Sequence, residues 1–281
     1  MLKPRSLLDL NCRTHSALPR VSILRPQPQP LVPLCRARHR IGSLINNTAP
    51  CPGLFNRSFS SRPPYKMSFP PIDTTIVCPA LSLLPENTQP DCFASDLAFF
   101  ASLPWTAALL KAPDAIPFLP SCRNPASPKH DQLFGRELNT DRGLSHFLSF
   151  FRAPSVAAAQ DPSQNVLEIV TLVSVGEGVS GFPGVVHGGI VASLLDESMG
   201  NIFDLNQTLG KEARAFKTAS VTGGLDVKFL KPVPTNSVFC VTATVEEIED
   251  RKTSVRCELK DAKGETLAKC SSKWVALKSN L

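Results

Sequence analysis

Hydrophobic and polar residues alternate along most of the second half of the chain, with one long interruption. The alternating stretches are typical of β-strands and cover residues 143–152, 165–175, 215–230, 236–249, 253–260 and 265–277. Between the second and third of them, apolar residues recur at helical spacing over 186–203. This order of two strands, one helix and four strands predicts an α+β domain at 143–281, in which an antiparallel sheet wraps a long helix.

The chain before residue 143 has a different pattern. Residues 61–90 are rich in proline and predict an irregular linker. Residues 91–142 predict a helical and irregular extension that begins with a helix at 91–103, whose Phe93, Leu97 and Phe100 share one face. Pro104 ends or kinks this helix, 105–111 adds another turn or two, and five prolines between 113 and 128 predict a surface loop. The helix covers the edge of a core or serves as a substrate lid.

The basic residues are concentrated near the N-terminus. Residues 1–60 contain nine basic side chains and one acid, Asp9, so their net charge is +8. The whole chain has a net charge of +6, and residues 61–281 therefore sum to about −2. Such an acid-poor, Arg- and Ser-rich segment predicts a mitochondrial transit peptide, with a processing site near Arg57 and a cut after Ser60. A basic tail without a targeting function is the alternative, and a start at Met67 would give a cytoplasmic form.

Several classes of function and of stabilising group are disfavoured by composition. The slightly acidic body of the chain argues against nucleic-acid binding, and no apolar run approaches the roughly 18 residues of a membrane span. The nine cysteines include no C-x-x-C pair and no metal-ligand spacing, so we expect free thiols and neither a metal nor another cofactor.

Residues 176–181 match the G-x-G-x-x-G pattern of dinucleotide-binding loops. Here, however, the helix does not begin at the third glycine, and no further strand-helix-strand unit follows. We therefore interpret this segment as a flexible loop.

The entry into the long helix carries the strongest indication of chemistry. His187 precedes Gly188 and Gly189, although glycine in a first turn costs about 1 kcal/mol relative to alanine. Backbone N–H groups at a helix N-terminus point outward with the helix dipole behind them, which suits a polarised carbonyl oxygen. The alternative is that the glycines only allow close packing against the sheet.

A carboxylate lies further along the same helix. Asp196 stands between Leu195 and Met199, where a charge is costly unless it faces a pocket, and Glu197 follows directly. We expect one of the two acids to face a pocket; an interface salt bridge or a cap on the N-terminus of a strand is the alternative. Asp196 lies nine residues after His187, about 13 Å along the axis and nearly on the opposite side, so the two predict two half-sites completed by a second subunit.

The helix reads His-Gly-Gly-x-x-Ala-x-x-x-Asp-x-x-x-Gly from His187 to Gly200, and a second motif runs from Thr222-Gly-Gly-Leu to Lys231-Pro-Val. Both motifs resemble those of the hotdog-fold acyl-CoA thioesterases of the phenylacetic-acid-degradation type, including mitochondrial members, and the resemblance covers 144–277. It implies a hotdog fold and a dimer, or a dimer of dimers, with active sites between subunits.

The resemblance also implies roles for individual residues. Asp196 matches the catalytic carboxylate, the backbone of Gly188 or Gly189 the oxyanion donor, His187 the motif histidine and Thr222 the assisting hydroxyl. The apolar row along the strand places Thr222 on the opposite face, unless Gly223 and Gly224 form a bulge. Lys228 and Lys231 are candidates for binding the phosphates of coenzyme A, although exposed lysines are more often solvated.

Three functions are consistent with these motifs. The first is hydrolysis of an acyl-CoA to a carboxylate and CoA, with Asp196 as general base or nucleophile. The second is non-catalytic acyl-CoA binding. The third is the reaction of the related hydratases and dehydratases, which carry a His-Phe-Pro-Gly turn before the helix; here Gly181 replaces that histidine, and the proton-transferring imidazole is lost.

Overall fold

The computed structural model describes residues 75–86, 88, 91–124 and 131–278. Their main feature is an antiparallel sheet of seven strands in the order β1-β2-β3-β7-β8-β9-β6. The strands are β1 (Ala115–Phe118), β2 (Leu144–Arg152), β3 (Glu168–Val175), β6 (Ser220–Phe229), β7 (Ser237–Glu249), β8 (Lys252–Lys260) and β9 (Thr266–Ala276), with β4 (Ser180–Phe182) and β5 (Val185–Val186) pairing separately. The expected transit peptide, its processing site and Met67 lie outside the described residues.

A long helix packs against one face of this sheet. Helices α1 (Asp91–Ser102), α2 (Pro104–Leu110) and α3 (Val156–Gln160) precede it, and the long helix itself is α4 (Gly188–Thr208). It contacts β3, β6, β7 and β8, and Leu194, Leu195 and Ile202 are fully buried in the main core. The predicted antiparallel sheet around a long helix, the arrangement of a hotdog fold, is confirmed. A charged or polar residue on α4 must therefore face either this core or one of its edges.

The helix continues past the predicted end at 203 because of a contact that apolar spacing does not reveal. Asn206 is fully buried, and its side-chain oxygen accepts a hydrogen bond from Val166 N at 2.8 Å. Its Nδ2 atom donates to Val166 O at 2.8 Å. The polar side chain thus pairs with the segment just before β3, and this pairing holds the last turn of α4 in place.

Helices α1 and α2 pack on the other face of the sheet, away from α4. Phe100 of α1 is fully buried in a second cluster with Leu148, Phe150 and Leu172. Asp96 adds a buried contact, since its Oδ1 atom lies 2.8 Å from Nδ1 of His146. No single helix among the described residues is long and apolar enough to span a membrane; α1 and α2 meet that criterion only as a pair bent by 119°. Their position indicates that α1 and α2 cover the core, which favours a structural brace over a substrate lid.

Two irregular regions of the sequence are more ordered than predicted. The expected linker at 61–90 contributes Ile76, Cys78 and Leu81 to the main core. The expected surface loop at 113–128 contains β1, which pairs with β2 and buries Phe118. Both expectations are wrong for these residues. The segment before α1 is held by a backbone bridge between Val77 and Leu119, and a proline in β1 is compatible with an edge strand, where the missing N–H can be tolerated. The structured part of the chain therefore begins well before residue 143.

If α1 is a brace, Phe100→Ala will lower stability without changing substrate choice. Removing a fully buried phenylalanine costs about 3–5 kcal/mol, so thermal unfolding should shift markedly downward. The relative rates on the acyl-CoA esters expected from the resemblance should stay the same. A changed chain-length preference at unchanged stability would instead identify α1 as a lid.

Candidate active site

The N-terminus of α4 is organised by its own histidine. His187 is the N-cap residue with φ −59° and ψ 132°, and its Nδ1 atom accepts a hydrogen bond from Gly189 N at 2.9 Å. The imidazole therefore carries its proton on Nε2, and the Gly189 N–H is engaged. Gly188 stands at the first helical position, where the N–H points out of the helix end. Of the two glycines, Gly188 is the better placed donor for an oxyanion.

A cavity of about 700 Å³ opens beside this helix end. Its wall includes His187, Gly188, Phe229 and Lys231, while Lys228 lies outside it. A Cβ atom added to Gly188 would lie 3.5 Å from the Phe229 ring, an ordinary van der Waals contact, so this ring borders the helix end. Lys231 forms an ion pair with Glu265, which partly neutralises its charge. The structure thus places one of the two candidate lysines beside the helix N-terminus.

Asp196 and Thr222 meet at the other side of α4. The Thr222 hydroxyl donates to Oδ1 of Asp196 at 2.8 Å. This contact requires a bulge at Gly223 and Gly224, as the sequence predicts. The pairing of β6 with β9 does shift between Thr222 and Gly224. In a regular strand, the alternation of side chains would place Thr222 on the face away from the helix. The bulge turns its side chain toward the helix. The hydrogen bond fixes one carboxylate oxygen and leaves the other free to act.

Asp196 and Thr222 line a second cavity, of about 440 Å³, that His187 does not border. Its wall also contains Glu197, Asn201, Asp204 and other residues of α4, with Ser121 and Cys122 from the extension. Within one chain, the helix N-terminus and the carboxylate therefore open into different cavities. The sequence predicts that one of the two neighbouring acids faces a pocket, and both Asp196 and Glu197 line this cavity.

The surroundings of Glu197 are not evident from the local sequence. Burial raises its pKa to about 8, and the nearby Asp131 carboxylate adds to the effect. The thiol of Cys122 faces it, and burial together with the Glu197 and Asp131 charges raises the pKa of that thiol well above its ordinary value. Glu197 is therefore protonated and neutral at neutral pH. Its partners lie more than 60 positions away in sequence, so no local pattern could have identified them.

Stability should depend on pH through Glu197. Its pKa is about 8 in the folded protein and ordinarily 4.5, so between these values the folded state keeps a proton that the unfolded state releases. The free energy of unfolding then falls as pH rises through this window. We expect Glu197→Gln to flatten that slope and to stabilise the protein at pH 8 by about 2–4 kcal/mol.

Denaturant unfolding at pH 5, 6.5 and 8 measures this effect. Glu212→Gln is a matched control, because Glu212 is exposed and should leave the slope unchanged. A Glu197→Gln variant with the same pH dependence as the unchanged protein would contradict the protonated state of Glu197.

One group of potential metal ligands is present among the described residues. Cys122, Asp131 and Glu197 have ligand atoms within 4.8 Å of one another. A metal ion would have to displace the protons of both the thiol and the Glu197 carboxyl, whose raised pKa values oppose this. We therefore interpret the group as a proton-holding cluster.

Strand β6 stands at the end of the sheet and exposes large apolar side chains. Val221 and Leu225 are 39% exposed, and Phe229 is 56% exposed. An apolar edge strand of ten residues is a ready surface for pairing with another strand. Thr222 borders the cavity beside Asp196, and Phe229 borders the cavity beside the helix N-terminus. This edge of the sheet therefore lies between the two cavities.

Comparisons with known proteins place the sequence in a family. The sequence model of the thioesterase superfamily matches residues 183–268, which include α4, β6 and the bulge. Verlamelin biosynthesis protein B from Lecanicillium sp is 32% identical over 167 residues, which cover 51% of this chain and 71% of that protein.

Acyl-coenzyme A thioesterase THEM4 from Rattus norvegicus is 33% identical over 137 residues, 48% of this chain and 49% of the relative. The chain thus matches about half the length of that protein. The solved structure of the E. coli PaaI protein is similar at 18% identity with a TM-score of 0.34, over 40% of this chain and 73% of that one. On the family match and the first of these relatives, the chain belongs to the thioesterase superfamily.

Proposed function

We propose that the protein is an acyl-CoA thioesterase that hydrolyses the thioester to a carboxylate and CoA. The observation that carries the proposal is the Asp196–Thr222 hydrogen bond of 2.8 Å in the wall of a cavity. A carboxylate oriented by a hydroxyl can activate water or attack an acyl carbon. The name of the rat relative, an acyl-coenzyme A thioesterase, supports the same substrate class.

The carbonyl oxygen would be bound at a helix N-terminus. The Gly188 N–H donates to it, and the helix dipole stabilises the negative charge that develops during attack. Asp196 then takes a proton from water, and the hydroxide adds to the thioester carbon. Collapse of this intermediate breaks the carbon–sulfur bond and releases CoA as a thiolate that takes up a proton.

In the alternative route Asp196 attacks the carbonyl carbon itself. CoA then leaves first, and water hydrolyses the resulting mixed anhydride. A single turnover in water enriched in ¹⁸O separates the routes by mass spectrometry. Label in the Asp196 carboxyl identifies the anhydride, whereas label confined to the released acid favours the general base.

We further propose that each active site lies between two subunits of a homodimer. His187 and Asp196 border different cavities of one chain, so a substrate carbonyl bound at one chain's helix end needs a carboxylate from elsewhere. The exposed apolar edge of β6 lies between the two cavities and would pair with its copy. A dimer of dimers is compatible with the same contact.

The coenzyme A part of the substrate would bind in the cavity beside the N-terminus of α4. Lys231 borders that cavity and offers a positive charge for a phosphate, once its ion pair with Glu265 opens or is shared. Lys228 is exposed on β6, shortly before Lys231, and would contribute only longer-range attraction. The first cavity is otherwise mostly apolar, which suits the pantetheine arm.

The hydratase alternative is disfavoured by space as well as by residue type. A Cβ atom at Gly181 would lie 3.1 Å from His187 Cα, so a histidine at this position would require the backbone of the helix cap to shift by a few tenths of an ångström. An absorbance assay with enoyl-CoA tests the hydratase, and non-catalytic binding is tested by the hydrolysis assay itself.

A screen of short, medium, long and aryl CoA esters, read by thiol release, tests the proposed function. We expect hydrolysis of at least one class with kcat/KM well above that of the Asp196→Asn variant. Tight binding of acyl-CoA without thiol release would overturn the proposal in favour of a binding protein.

Delivery to the mitochondrial matrix is proposed from composition alone. The nine basic residues and single acid of 1–60 support it. Fusion of 1–66 to a fluorescent protein should direct it to mitochondria; a diffuse cytoplasmic signal would contradict the assignment.

A further inference from the structure

The cavity beside Asp196 is bounded by two different parts of the chain. Helix α4 forms its floor with two neighbouring rows of side chains, one that includes Asp196 and one that includes Glu197. Thr222 of β6 stands on the side of the first row, where its hydroxyl binds the Asp196 carboxylate. Residues of the N-terminal extension line the cavity as well, and they contact the second row.

The contact with the second row is made by the segment 121–124, which we call the extension wall. Its Ser121 and Cys122 line the cavity. The sulfur of Cys122 lies within 4.8 Å of a carboxyl oxygen of Glu197. Since Glu197 directly follows Asp196 on α4, the extension wall stands beside the proposed catalytic carboxylate, on the side away from β6.

Neighbouring residues hold the extension wall in place. Arg123 is buried, and its guanidinium donates to the backbone oxygen of Phe134 at 3.0 Å. The side chain of Asn124 donates to the segment before α1 at 2.7 Å. A Cβ atom added to Gly135 would lie only 2.7 Å from the backbone oxygen of Cys122, so the backbone is tightly packed there. Cys122 therefore cannot move aside for a wider ligand without disturbing these contacts.

The space between α4 and the extension wall is left open by the protein. Asn201 is 3% exposed, and its Nδ2 atom has no hydrogen-bond partner among the residues that the structure describes. The hydroxyl of Ser121 has none either, judged against that same part of the chain. Unpaired buried donors are costly, so their presence on both sides is typical of a space that a ligand fills. Both can donate to one oxygen atom, so they mark the extent of this space and select no particular functional group.

The acyl group is the part of the substrate that reaches the extension wall. In both proposed routes Asp196 acts at the carbonyl carbon, directly or through water, and the coenzyme A part lies in the other cavity, beside Lys231. The first carbons of the acyl group must then lie in the cavity beside Asp196. There they pass between Thr222 on one side and Cys122 on the other.

We infer that the extension wall limits the width of the acyl group next to the carbonyl carbon, with Cys122 as the specificity-determining residue. This inference rests on the proposed thioesterase function and extends it to a segment outside residues 183–268, which match the family. An unbranched chain passes beside Cys122, whereas a methyl branch on the second carbon or an aryl ring meets its side chain. Helices α1 and α2 take no part, because they pack on the other face of the sheet.

A ratio of rates on matched esters tests the inference. The substrates are the straight-chain acyl-CoA ester that the unchanged protein hydrolyses best, its 2-methyl derivative and an aryl ester. We expect Cys122→Ala to raise kcat/KM for the branched ester, relative to the straight one, by about 5-fold or more. Cys122→Leu should lower the same ratio. Because both rates are read on one sample, any unfolded fraction cancels from the ratio.

Two further variants separate width from other effects. Cys122→Ser keeps nearly the same size and a hydrogen-bonding group for Glu197, so the ratio should stay within about 2-fold of that of the unchanged protein. Cys240→Ala removes a thiol on β7 that does not border the cavity, and it is the matched control for loss of a cysteine side chain. Its ratio should equal that of the unchanged protein.

The outcomes separate this inference from the proposed function. A ratio that changes in neither Cys122→Ala nor Cys122→Leu overturns the inference and leaves the thioesterase intact. An equal rise in Cys122→Ala and Cys122→Ser would assign the effect to the thiol itself, and it would also overturn the limit on width. Hydrolysis of no ester by the unchanged protein overturns the proposed function.

Discussion

Asp196→Asn should lower kcat/KM for acyl-CoA hydrolysis by about 10³-fold. The amide cannot take a proton from water and is a poor nucleophile, so both routes fail. It can still accept the hydrogen bond from Thr222 Oγ1, so the fold should be retained. Initial rates with purified protein, together with thermal unfolding, measure the two effects separately.

Asp204→Asn is the matched control for this result. Asp204 lies on the same helix and lines the same cavity, but it is about two helical turns from Asp196. Its loss should change kcat/KM by less than about 3-fold, a difference of well under 1 kcal/mol. If Asp196→Asn kept most of the activity, or if both variants lost it equally, the assigned role of Asp196 would be wrong.

Leu225→Glu should produce a monomer with little activity. Leu225 is 39% exposed on the edge strand β6, so the substitution costs the isolated chain little. In a dimer formed along this edge, however, a charge would be buried without a partner in each subunit. We expect the mass in solution to halve and kcat/KM to fall about 100-fold or more, since separated subunits lack one half of each site.

Leu84→Glu controls for the effect of adding an exposed charge in place of a leucine. Leu84 is 66% exposed and lies outside β6, so mass and activity should remain unchanged. A monomeric Leu225→Glu protein with full activity would contradict the shared active site. A Leu225→Glu protein that stays dimeric would place the interface elsewhere.

Local patterns predicted the centre of this fold well. The alternation of apolar residues identified the strands around α4, and the pair Gly223–Gly224 indicated the bulge that brings Thr222 to Asp196. These features depend on neighbours in sequence, such as the helical period and the freedom of glycine to change strand direction. The separation of His187 from Asp196 followed from helix geometry alone.

Features made by distant residues could not be read in the same way. Prolines at 113–128 predicted a loop, yet Pro117 lies in β1 because an edge strand tolerates it. The neutral state of Glu197 depends on its burial in the folded chain and on the Asp131 carboxylate, which belongs to a distant part of the sequence. Each is a property of the folded arrangement, which periodicity does not encode.

Mixed dimers test the central claim, the active site shared between two chains, most directly. Gly188→Pro removes one N–H at the first helical position, where proline is tolerated, and His187 already has the extended backbone that precedes a proline. Dimers of Gly188→Pro alone and of Asp196→Asn alone should each be nearly inactive. Random mixing of equal amounts makes about half of the dimers mixed, each with one intact site, so activity should recover to about a quarter of the unchanged protein. Recovery to that level after co-refolding is the predicted result, and a mixture as inactive as its components would contradict the account.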